Sequence, residues 1–175
     1  MRRKIRTLML LVTVYFVVAL PFKVMTVIPG FTDVRPVMML GPVYALFYGL
    51  PGCVVFALMN LVMDALSGEL AWSSIAGLIS NFLGPYLILC YWKRRPGIRL
   101  HLRTVGNIIH YSIVITVTAI FEAAIITPSV AAFYPEVDWL MFFTVVVLNT
   151  ALFPILFGIP LMILMKEELG FESAI

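Results

Sequence analysis

The chain has 175 residues, of which 62% are hydrophobic and 12% charged, and its mean hydropathy is +1.06. Twelve Lys and Arg and nine Asp and Glu are too few to clothe a water-soluble domain of this size, so a soluble fold is excluded and residues 1–175 read as one all-α integral membrane domain. The net charge of +3 follows from how basic residues distribute along a membrane chain and implies no nucleic-acid partner.

In chain order, the first apolar run predicts a helix from about Ile5 to Ile28, ended by Pro29-Gly30 and the polar loop 31–36. Its basic start resembles a signal peptide but lacks a small-residue cleavage site, so it is read as retained. Runs two and three, Val37–Leu50 and Cys53–Leu66, flank the uncharged turn Leu50-Pro51-Gly52. At about 14 residues each they reach roughly 21 Å, short of a hydrocarbon core of about 30 Å. Either both span fully by borrowing flanking residues, or they form a re-entrant hairpin. Full spans are preferred, because irregular backbone at lipid depth needs protein cover.

Span four runs from about Trp72 to Trp92 and closes on the basic stretch 93–103. Span five extends from about Thr104 to Ile126, with Thr127-Pro128 as its stop, and span six from about Trp139 to Met165. The expected fold is a six-transmembrane-helix bundle with short second and third helices. Ten of the 12 Lys and Arg then fall on the side of the two termini, which the positive-inside rule assigns to the cytoplasm. Trp72, Trp92 and Trp139 fall at span ends, where amphipathic rings collect.

Polar side chains inside a bilayer are costly, and each is a functional candidate to be weighed against helix-packing use. Asn60 and Asp64 share one face of helix three, Asn81 lies on a polar and small-residue stripe of helix four, and Glu122 and Asn149 lie in helices five and six. Together with Arg35 they are candidates to line a cup open to the outside, with Tyr44 or Trp72 as a stacking surface. Asp64 is open to a second reading, as the structural counter-ion of Arg35 or Lys23, and Asn60 and Asn81 equally to use as interhelical glue. The loop with Thr32, Asp33 and Arg35 is expected to form a lid over the cup, and Leu50, Pro51 and Gly52 a docking surface for a partner. Ala45-x-x-x-Gly49 and Ala119-x-x-x-Ala123 read as close helix packing, and His101 and His110 as a solvated loop residue and a packing residue.

Catalytic signatures are missing from the sequence. It holds no His-Glu-x-x-His, no Gly-x-Ser-x-Gly and no phosphate-binding glycine loop, and Cys53 and Cys90 lack partners at metal-ligand spacing. No enzyme activity, cofactor or metal is expected, and active transport would draw its energy from a partner.

Three stretches carry a family resemblance: 28–36 with Asp33-Val34-Arg35-Pro36, 40–52 with Phe47-Tyr48-Gly49-Leu50-Pro51-Gly52, and Asn60-Leu61-Val62-Met63-Asp64. Together they resemble the substrate-binding S components of energy-coupling factor importers, most of all the queuosine-precursor-transporter-like branch. The likeness covers about residues 28–84, and helix one carries no Ala-x-x-x-Ala docking spacing. The resemblance implies a subunit of the cell membrane that captures a small water-soluble nutrient, a vitamin or a nucleobase-like molecule. It also implies a transmembrane coupling subunit and two ATPase subunits as partners. The alternative is a self-sufficient small secondary transporter or channel.

Overall fold

The computed structural model describes residues 2–28, 32–95, 102–172 and 174. The expected stop of helix one at Pro29-Gly30, Phe31 at the start of the expected lid loop, and most of the basic stretch, 96–101 with His101, lie outside the described residues.

Among the described residues six helices form the bundle: α1 (Arg2–Ala19), α2 (Leu40–Tyr48), α3 (Leu50–Leu66), α4 (Trp72–Lys93), α5 (Val105–Phe133) and α6 (Trp139–Glu168). Helices α4, α5 and α6, and the stretch Lys4–Phe22 that prolongs α1, are long and apolar enough to cross a membrane. The protein is therefore an all-α membrane bundle. Large apolar side chains such as Val17, Ile79, Ile113 and Leu148 face outward, where lipid rather than water is the matching solvent.

Three boundaries differ from the sequence expectation. Helix α1 passes through a 3₁₀ turn, Leu20–Phe22, and stops there, six residues early. The β-branched stretch Thr26–Ile28 (β1) instead pairs antiparallel with Thr32–Asp33 (β2) in a small ribbon. Helix α5 runs seven residues past Ile126, straight through Pro128. Proline removes one donor and one helical bond, and 29 residues of helix absorb that loss. The third difference is the break between α2 and α3, which falls at Gly49, whose φ of +66° suits glycine. Leu50, Pro51 and Gly52 are thus the first turn of α3 rather than a loop, with Pro51 where a helix tolerates it.

Helix α2, entered through a 3₁₀ turn at Pro36–Met39, is enclosed by protein: every residue from Leu40 to Phe47 is buried. It packs on α3, α4 and the middle of α6, and the Tyr44 hydroxyl donates to Leu11 O of α1 at 2.6 Å. Helix α3 shows the opposite arrangement, with Val54, Leu58, Val62 and Leu66 exposed at four-residue spacing as one lipid-type stripe. Within α6, Pro154 opens a wide π turn over Pro154–Gly158, and a second π turn closes the helix at Leu164–Glu168. Asp138 caps the start of α6, accepting from Leu140 N and Met141 N at 2.9 Å each.

At the end of the bundle that carries the N-terminus of α5, Arg103 pairs with Glu167 and Glu168 of α6. Nearby, Trp92 is buried and stacks on His110, whose Nε2 shares a hydrogen bond with the Tyr91 hydroxyl. Trp92 thus lies at the end of α4 as expected but is covered by protein, whereas Trp72 and Trp139 are exposed at helix starts. Ala45, Ala119 and Ala123 are fully buried, as close helix packing requires.

Candidate functional site

The polar residues of α3 to α6 converge on one cavity of about 70 Å³ at the ribbon end of the bundle. Arg35, Asn60, Asp64, Asn81, Glu122 and Asn149, all expected from the sequence, line it. So do Met38, Glu69, Ser73, Ser74, Gly77 and Thr150, and an apolar wall of Ile126, Val130, Phe142 and Val146.

Tyr44 and Trp72 are not among the lining residues, and both are corrected as stacking candidates. Tyr44 points into the core toward α1, and Trp72 is 68% exposed on the outside of the bundle. The aromatic wall is Phe142, one turn into α6, whose apolar surroundings in the sequence set it apart from no other core residue. Ser73 and Gly77 belong to the stripe that also carries Asn81, and Thr150 follows Asn149, so those positions were within reach of the same polar-depth signal.

Two cations and three carboxylates organise the mouth. Lys23, just past α1, pairs with Asp33 Oδ2 at 3.2 Å and Glu69 Oε2 at 2.6 Å. Arg35 Nε pairs with Asp33 Oδ1 at 2.6 Å, while its Nη2 stands 4.0 Å from Asp64 Oδ1. Asp33 is therefore the counter-ion of both cations, and Asp64, held only loosely by Arg35, is hydrogen-bonded by the Ser74 side chain. Burial works against the Arg35 charge, but Asp33 and then Asp64 more than offset it and hold the guanidinium above its usual range.

The loop is fastened from α6. Asn149 Nδ2 donates to Asp33 O at 2.9 Å and Arg35 N donates to Asn149 Oδ1 at 3.2 Å, so both ends of that amide are spent on loop backbone. Asn60 Oδ1 accepts from Arg35 Nη1 at 3.3 Å and from the Tyr15 hydroxyl at 3.4 Å. Asn81 Nδ2 donates to Gly77 O of its own helix at 2.7 Å, which leaves its carbonyl and its second N–H as the groups it can offer. Among the expected site residues, Asn60 and Asn149 are thus partly or wholly engaged in holding Arg35 and its loop.

Glu122 is 3% exposed and forms no ion pair or hydrogen bond among the described residues. Its carboxyl rests on the backbone of α4: a Cβ at Gly84 would stand 1.8 Å from Glu122 Oε1. With α5 longer than expected, Glu122 lies 11 residues before the helix end at Phe133, about 16 Å by helical rise rather than about 6 Å.

Leu50 and Pro51 are exposed, as a docking surface requires, but Gly52 is buried against α2, where a Cβ would meet Tyr44 O at 2.1 Å. Gly52 is therefore removed from that surface. Beside it, Ala174 N donates to Leu46 O at 2.8 Å.

The fold and cavity define a membrane-embedded helical bundle with a polar chamber at one end. Compared with known protein families, curated proteins and solved structures, the chain gives no match.

Proposed function

We propose that the protein is a multi-pass substrate-binding subunit of the cytoplasmic membrane. In this reading it captures a small water-soluble nutrient, of the vitamin or nucleobase-like class, from the outer side. A transmembrane coupling subunit with two ATPase subunits then drives release inside, as in the energy-coupling factor importers that residues 28–84 resemble. The observation that carries the reading is the convergence of Arg35, Asp64, Asn81 and Glu122, from a loop and three helices, on a single cavity. Isolated glue residues have no reason to share one chamber.

The distribution of polar groups supports a binder over a conduit. Beneath Glu122 the described residues include Cys53, Phe56, Leu89, Tyr111 and Ile115, each at most 2% exposed, a mainly apolar inner half. The basic N-terminal residues and the 93–103 stretch support placing the chamber on the outer face. Both termini then lie in the cytoplasm.

The test is equilibrium binding and uptake with the purified protein reconstituted alone. Mass spectrometry of the small molecule that copurifies in detergent supplies the ligand. Saturable binding without accumulation is expected. Accumulation driven by an ion gradient would make the protein a self-sufficient secondary transporter, and absence of saturable binding would leave it without a ligand role.

A further inference from the structure

The chamber and its mouth hold two cations, Lys23 and Arg35, against four carboxyl groups, Asp33, Asp64, Glu69 and Glu122. Both cations are committed: Lys23 bridges Asp33 and Glu69, and Arg35 forms its short contact with Asp33. What remains is Asp64, loosely paired with Arg35 and hydrogen-bonded by the Ser74 side chain, and a Glu122 with no partner among the described residues, although Glu122 is 97% buried from solvent. A buried carboxyl with no donor is an unfilled bonding site. The contact with Gly84 fixes where that site lies, because the carboxyl occupies the space a side chain would take on α4.

We infer that the chamber takes an organic cation, a compact molecule whose protonated amine or amidine-like group places N–H donors against Glu122 and Asp64. This rests on the proposed function, since it assumes that the chamber is the ligand site. A bare metal ion is the poorer fit, because no group of three or more His, Cys, Asp and Glu among the described residues is placed to hold one. The surrounding wall suits the rest of such a molecule: Ile126, Val130 and Phe142 offer apolar contact, and Asn81 an amide carbonyl. Planar amidines test the idea cleanly, because amidinium, amide and carboxylate share one shape and differ in charge.

The experiment measures binding of acetamidinium, acetamide and acetate, and of benzamidinium, benzamide and benzoate, to the full chain in lipid nanodiscs by saturation-transfer NMR. In at least one set, the amidinium is expected to bind about ten- to a hundredfold more tightly than the amide, the range for hydrogen bonds to a charged group. The carboxylate is expected not to bind. Glu122→Gln is expected to bring the amidinium down to the level of the amide, and wild-type protein alone already decides the matter if that variant fails to fold. An amide or carboxylate that equals or exceeds the amidinium overturns the cationic ligand while leaving a binding chamber in place. A preference unchanged in folded Glu122→Gln overturns the assignment to Glu122. If no member of either set binds up to about 10 mM, the cationic ligand is overturned, while the proposed function stands or falls on binding of the copurified molecule.

Discussion

Asp33 and Asp64 both approach Arg35, yet different things depend on them. Asp33 is 6% exposed and faces two cations, so Asp33→Asn strands buried positive charge. It should lower the unfolding free energy by about 3 kcal/mol, read by thermal or denaturant unfolding in detergent. Asp64, 4.0 Å from its nearest cation, carries little of that load. Asp64→Asn should instead weaken ligand binding by about 1.5–3 kcal/mol in calorimetry, with the melting temperature nearly unchanged. A melting temperature that falls with unchanged affinity would assign Asp64 to structure. These polar positions were legible in the sequence because intramembrane charge is costly wherever it sits. Their partners were not, because the sequence leaves helix rotation open. The counter-ion of Lys23 and Arg35 is Asp33, two residues from Arg35 in the loop, and Asn149 turns both ends of its amide to that loop from 114 residues away.

Helices α4 and α5 meet through Gly84 and Glu122, and that contact is sensitive to a single methyl group. Gly84→Ala would place a Cβ 1.8 Å from Glu122 Oε1, so the carboxyl must leave its seat. Ligand affinity should fall more than tenfold, the effect of losing one charged hydrogen bond, as read by calorimetry. The α2–α3 contact is less able to yield, since the clash at Gly52 is with backbone. Gly52→Ala should therefore cost about 2 kcal/mol of stability, measured by unfolding, as overpacking does in a close-packed interior. Docking has to be tested where the helix is open: Leu50→Lys should reduce partner pull-down with ligand affinity intact, and full pull-down would remove this turn from the interface. The start of α4 was legible to the residue, and its end to within one residue, because Trp72 and Lys93 bracket an uninterrupted apolar run. The ends of α1 and α5 were misplaced for one shared reason. Proline and β-branched residues bias the backbone locally, whereas the surrounding bundle decides whether that bias ends a helix.

At the scale of the molecule, apolar composition and the basic bias of the expected cytoplasmic face made the membrane bundle legible before any contact was known. If the basic face is cytoplasmic, reporters fused to either terminus should be active only in that compartment, and opposite readings at the two termini would contradict an even number of crossings. The enclosure of α2 was beyond sequence reasoning, because an apolar run reads alike whether lipid or protein covers it. That enclosure has a consequence for the order of assembly. Nine residues of helix extend only about 14 Å, too short to be held by the bilayer during synthesis. Helix α2 is held by its neighbours, and α4 supplies one of its walls only after α3 has been made. A nascent chain ending at Leu66 should therefore leave α2 open to aqueous thiol reagents at Ala45→Cys, and extending the chain through Lys93 should close it. Protection already complete at Leu66 would mean that α1 and α3 suffice to seat the helix.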